Sequence, residues 1–191
     1  MEKKYLRVIG IIAVVLTVLM LAYTMTAATT GNRAGSNNPP PVSQAAGKPV
    51  GQQVDEKLFP GELAGMKRVD AVTGQNAIDS VSQMHGTDIK VVSAFVVMYQ
   101  GSGKDQMTIW LSESKDEKDA AAMFKAMDDK MPKTQYFQNY KTVKIDGKEY
   151  KFVTGKDRME HYYWLKGKRN IWVGIAGANT AEVLKKVAPL Y

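Results

Sequence analysis

Sixteen residues in succession, Val8–Tyr23, carry no charge and are almost all aliphatic, and Lys3, Lys4 and Arg7 stand just before them. Lys and Arg are retained on the cytoplasmic side of a membrane, and the next charge is a solitary Arg33, so the C-terminal bulk is expected to face outward. The uncharged stretch Val8–Thr30, at about 1.5 Å per residue, is long enough to cross a hydrocarbon core of about 30 Å. Residues 1–25 are therefore expected to form a single-pass anchor that meets lipid through residues 5–25. The alternative is a cleaved signal peptide, with Ala22/Thr24 or Thr26/Ala28 as the small pair before the cut, which would release the remainder.

Past the anchor the chain changes character. Residues 26–54 are rich in Ala, Thr, Gly, Asn, Pro and Gln, with Asn37-Asn38-Pro39-Pro40-Pro41 among them, and have little to bury, so they are expected to be a tether. Residues 55–191 then have the size of one domain with one core. Cysteine is absent, which excludes disulfides, thiolate metal sites, Cys nucleophiles and a thioether lipid anchor. The formal charge of +7 divides into +4 before residue 55 and +3 after it. So mild a balance on an outward-facing domain argues against nucleic acid. Nine basic residues against four acids, interleaved with Tyr150, Phe152, Tyr162, Tyr163 and Trp164, do gather in Lys141–Arg169. Such a pattern suits either a polyanion or strands with Lys on their solvated side.

Periodicity and turn residues predict the order β-α-β-β-α-β-β-β-β-α. Met66–Val72 reads as a strand, and Ala77, Ile78, Val81 and Met84 recur at helical spacing up to Gly86. Ile89–Tyr99 and Gln106–Leu111 form a hairpin through Gly101-Ser102-Gly103. Ser114 with Glu117 makes a capping box for a helix carrying Ala120, Phe124, Met127 and Met131 and ended by Pro132. Asp146-Gly147 joins Thr142–Ile145 to Glu149–Val153, and His161–Leu165 returns as Asn170–Ala176. Asn179 with Glu182 caps a last helix. The fold class expected is α+β: one antiparallel or mixed sheet with helices on one face. A ferredoxin-like β-α-β-β-α-β core would be extended by hairpin strands and a C-terminal helix.

Side chains alternate along strands, so if Met107, Ile109 and Leu111 face the helices, Trp110 and Trp172 lie on the other side of the sheet. Trp164, Tyr162, Phe95 and Tyr99 join them in some registers. An aromatic face of this kind requires a cover, from the chain itself, a second copy, another protein or an apolar ligand.

Motifs for chemistry are weak. Gly101-Ser102-Gly103-Lys104 ends like a phosphate-binding loop, but Met98 stands where the earlier Gly belongs and Asp105 where Ser or Thr belongs. The two histidines, His85 and His161, form no close ligand pair. Met84-His85 and Met159-Glu160-His161 do set thioethers beside imidazoles, as a copper(I) site would. No GxSxG elbow occurs, and Glu160, the acid next to His161, faces the other way on a strand. Asp116/Glu117 and Asp128/Asp129 read as solvated helix charges.

The expectation is a membrane-tethered, extracytoplasmic, non-enzymatic domain without cofactor. It would bind a protein partner or itself through Trp110, Trp172, Trp164, Tyr162 and His161. The alternatives are a small-ligand or copper-type sensor or carrier with a cavity at Trp110 and Trp172, and an enzyme with Arg158, Glu160 and Tyr162 or Tyr163 converging on His161.

Overall fold

The computed structural model describes residues 54–85, 90–177 and 179–191, apart from the side chains of 83–85. The expected anchor 1–25 and the tether up to residue 53 lie outside these residues, as do Gly86 and Ile89. Among the described residues no helix is long and apolar enough to cross a membrane.

The fold is α+β, with eight strands: β1 (Glu62–Leu63), β2 (Met66–Thr73), β3 (Val91–Gln100), β4 (Gln106–Ser114), β5 (Phe137–Ile145), β6 (Lys148–Gly155), β7 (Glu160–Lys166) and β8 (Arg169–Ala176). Three helices accompany them: α1 (Gly74–His85), α2 (Glu117–Asp128) and α3 (Thr180–Val187). All eight strands form one sheet in the order β1-β2-β3-β4-β8-β7-β6-β5, and every pairing is antiparallel. The β5–β6 turn shows why: Asp146 and Gly147 both adopt positive φ, 48° and 77°, the conformation a two-residue hairpin loop needs to match strand twist.

Two meanders, β1–β4 and β5–β8, meet where β4 pairs with β8. The connection through α2 carries the chain from β4, inside the sheet, to β5 at its edge. This corrects the ferredoxin-like expectation, and the sheet is not mixed. A helical crossover is needed to make parallel neighbours, whereas α1 here joins the adjacent antiparallel strands β2 and β3.

Helices also cover both faces rather than one. On the first face, Met107, Ile109, Leu111, Ile171, Val173 and Ile175 pack with α3 through Leu184 and Val187, and with Phe59 of the entering segment. That segment is bound by backbone carbonyls: Tyr191 donates to Leu58 O at 2.6 Å, Tyr99 to Pro60 O at 3.1 Å, and Arg68 to Phe59 O. On the second face, Ala77 and Val81 of α1 pack with Ala94 and Val96, and Met127 of α2 with Val153, Tyr163 and Trp172. Because β4 and β8 carry bulky residues at both parities, neither face is left to water.

Two caps differ from expectation. β4 runs on through Ser114, which pairs with Val91, so Asp116 becomes the cap of α2 and accepts the Asp119 N–H at 2.9 Å. Asn179 precedes α3 in the left-handed region, φ 61°, without a side-chain cap bond.

Candidate functional site

The second face gathers the aromatic residues singled out by the sequence. Trp110 and Trp172 are direct partners across β4 and β8, and Tyr163 of β7 lies on the other side of Trp172. The rings of Tyr163 and Trp172 stack with centroids 4.6 Å apart and planes at 7°. Phe137, at the start of β5, leans on Trp172 at 5.3 Å and meets His161 edge-on at 5.2 Å. Trp172 is only 5% exposed. Of the covers expected for this face, the structure shows the chain's own: α1, α2 and the start of β5 close over it.

His161 lies within this cluster at 2% exposure and is fully bonded. Trp172 Nε1–H donates to its Nδ1 at 2.9 Å. Nδ1 is thus an acceptor, so the ring proton resides on Nε2, which faces both Asp157 carboxylate oxygens at 3.2 Å. The Met159 N–H bonds Asp157 Oδ1 at 3.0 Å, and the negative charge of the same carboxylate acts on the Tyr136 phenol. Burial pushes the Asp157 carboxyl up, but the bonds from His161 and Met159 outweigh it and hold the group below the usual carboxylate range. The Tyr136 phenol is pushed up to about 12, first by burial and then by Asp157.

Two glycines leave room for this arrangement. A Cβ on Gly174 would lie 2.9 Å from His161 Nδ1, and one on Gly155 would lie 2.2 Å from Asp157 Oδ1. Both nitrogens of His161 are engaged within the protein, Nδ1 by the Trp172 indole and Nε2 by Asp157, so neither is turned toward an open surface. Among the described residues no three His, Asp or Glu side chains are grouped to hold a metal ion. The side chains of Met84 and His85 lie outside the described residues.

A second polar knot fastens α2 to the sheet. Tyr163 and Tyr140 donate to Asp128 Oδ1 at 2.8 and 3.0 Å, and Lys151 stands 3.3 Å from Oδ2. The Lys151 ammonium is raised, first by its bond to Tyr140, and the Tyr163 phenol is raised beyond its ordinary range, first by burial.

Between α1 and α2 a recess of about 20 Å³, room for one water, is lined by Val81, Trp110, Ser112, Met127, Asn170 and Trp172. Asn170 donates its Nδ2 to Ala120 O at 3.0 Å, which fixes the amide, and its buried Oδ1 has no partner. Trp110 is half-buried.

The other two candidates lie on the opposite face. Tyr162 is core, donating to Glu160 Oε2 at 2.8 Å beside Thr180, and half-buried Trp164 meets Tyr150 edge-on at 5.2 Å. The five candidates thus split three and two across the sheet. Of Arg158, Glu160 and Tyr162 or Tyr163, only Tyr163 shares the face of His161, and its phenol is given to Asp128; Arg158 is exposed at φ 66°, and Glu160 and Tyr162 face away. The partner that sequence reasoning missed is Asp157. It is four residues before His161, but a tight turn, closed by Gly155 N–H to Met159 O at 3.0 Å, folds it back over the ring.

No family model matches the chain, and no curated protein does. Among solved structures, the crystal structure of the extracellular domain of PknH from Mycobacterium tuberculosis aligns with a TM-score of 0.41 and 12% identity, covering 66% of this chain and 84% of that one. A likeness of that degree bears neither on activity nor on location.

Proposed function

We propose that this protein is a membrane-tethered, outward-facing domain that works by binding a protein partner, with Trp110 at the floor of the α1–α2 recess as the contact. The basic residues before Val8–Tyr23 support the tether and its direction. The observation that carries the binding reading is the half-buried Trp110 between apolar Val81 and Met127, beside an unpaired acceptor on Asn170. An apolar side chain laid on such a ring gains contact area without further unfolding of the helices. Saturation of His161 favours this over catalysis. The unpaired Asn170 oxygen favours one second reading, a small-ligand carrier, for which α1 and α2 would have to part.

The test is native mass spectrometry of the full chain extracted gently from its own membranes, wild type beside Trp110→Ala and Trp164→Ala. The expected result is a second copy or protein partner retained by the wild type and by Trp164→Ala and lost from Trp110→Ala, all three remaining folded, with thermal midpoints within about 8 °C of one another. A bare monomer in every case overturns the reading, and a retained small mass turns it to the carrier.

A further inference from the structure

We propose that the Trp172–His161–Asp157 chain is an acid-released latch. Protonation of His161 at Nδ1 would break the Trp172 bond and loosen the corner where Tyr136–Phe137 meets the Gly155–Met159 turn. This does not depend on the binding reading.

The geometry admits one proton state. Nδ1 accepts from Trp172 at 2.9 Å, and a second ring proton would set two N–H groups against each other at that distance. Both residues are buried, so an indole N–H released from Nδ1 loses its partner at a cost. Asp157 meanwhile supplies the counter-charge that a histidinium would need, and Nε2–H keeps that bond in either state. Histidine is the side chain whose ordinary titration falls between about pH 5 and 8.

The neighbours decide what gives way. From β6 and β8, Gly155 and Gly174 lie flush against the ring and carry no charge. From β4 comes Trp110, from β8 Trp172, and from the start of β5 Phe137, all uncharged. The phenol of the preceding residue, Tyr136, feels the charge of Asp157, which bears the only formal charge among these groups. Register shifts between Gln138 and Lys141, where Asn139 has φ 57°, so the pairs Phe137–Gly155 and Gln138–Thr154 are set apart from the rest of the β5–β6 ladder. Lys156 N–H to Tyr136 O, at 3.2 Å, links this end to the turn. Asp157 keeps the Gly155–Met159 turn on the ring in both states, so the part loosened is the start of β5, where Phe137 packs on both His161 and Trp172.

The experiment uses the full ¹⁵N-labelled chain in detergent micelles. Its two histidines and three tryptophans permit a His161 ring titration and an indole N–H titration on one sample. Between about pH 7.5 and about pH 4.5, the Trp172 indole signal should move with the same midpoint as the His161 ring. Trp164, on the opposite face, should stay still. Amide exchange in a peptide covering 134–138 should rise about tenfold over the same range, while one covering 155–159 should not. Asp157→Asn keeps an acceptor but removes the counter-charge, so it should lower the midpoint by about one pH unit. His161→Gln should abolish the transition. A Trp172 signal that ignores the His161 titration, a pH response that survives in His161→Gln, or a midpoint raised by Asp157→Asn would each overturn the latch. If His161→Gln does not fold, the sign of the Asp157→Asn shift decides alone.

Discussion

The two faces of this sheet are closed by different means. On the first, the entering segment and α3 bury a largely apolar surface, fastened by Tyr191 to Leu58 O, Tyr99 to Pro60 O and Arg68 to Phe59 O, with Tyr162 bonded to Glu160 beside Thr180. On the second, the same strands present His161, Asn170, Ser112 and Ser114 among the aromatics, all buried, with two oxygens left without partners. A buried polar group needs a specific partner, while a buried methyl needs only contact. The first face therefore draws mostly on contact, and the second on specific polar partners.

The largest effects should come from the centres of the two covers. Phe59 is fully buried against Phe95 and Tyr191, with centroids at 5.2 and 5.8 Å, and Trp172 is nearly so. Phe59→Ala and Trp172→Ala should each cost about 3–5 kcal/mol in denaturant unfolding of the full chain, and Trp110→Ala under about 2 kcal/mol. Equal losses at Trp110 and Trp172 would erase the distinction between a contact residue and a core residue on the second face.

Next come two phenols of similar burial but different partners. Tyr191→Phe leaves the Leu58 carbonyl without its bond and should cost about 1–3 kcal/mol. Tyr163→Phe leaves Asp128 still held by Tyr140 and Lys151, and should cost about 1 kcal/mol or less. The reverse order, read from the same unfolding curves, would show the Asp128 knot to be the tighter fastening.

Why was the order of elements legible when the covering of the faces was not? Turn residues and periodicity are local, so Asp146-Gly147 and the Gln106–Leu111 alternation could be read directly. Alternation also separates Trp110 and Trp172 from Met107, Ile109 and Leu111, as the structure does. It does not say which face a helix chooses, since α1, α2 and α3 each have an apolar stripe and a sheet bulky on both sides accepts them on either. The site was lost at the same step. Trp164 and Tyr162 have the opposite strand parity to His161, and Asp157 reaches His161 only because a turn, invisible to a strand-parity argument, reverses the chain between them. Ser114 failed as a cap for a related reason: β4 continued three residues past its last large aliphatic residue, Leu111.

Acid should separate the faces further, with a smaller effect confined to low pH. Because the Asp157 carboxyl is held below its usual range, its contribution is fully present above the unfolded carboxylate value of about 3.9 and lost as pH falls through the lower folded value. Asp157→Asn should therefore flatten the stability–pH curve below about pH 4. The Tyr191 bond to a backbone carbonyl on the first face has no such dependence in acid, so Tyr191→Phe should shift the whole curve without changing its slope there. A slope unaltered by Asp157→Asn would mean that other carboxylates govern acid unfolding.

The smallest expected effect is at Asn170. Its Nδ2 bond goes to the Ala120 carbonyl, which lies within α2 and also serves the helix ladder, so removal of the amide strands no backbone group completely. Replacement by Leu loses that one bond but also removes the unpaired Oδ1, and those two terms are each about 1 kcal/mol and opposite in sign. Asn170→Leu should accordingly leave stability within about 1 kcal/mol of wild type, despite a burial close to that of Tyr162 on the other face. If the loss is several times larger, Oδ1 is satisfied in solution, and the recess of about 20 Å³ holds a water that Asn170 shares with its walls. A neutral result would instead show that Oδ1 contributes no bond in solution, and that burying one unpaired oxygen costs this face about what the Ala120 bond returns.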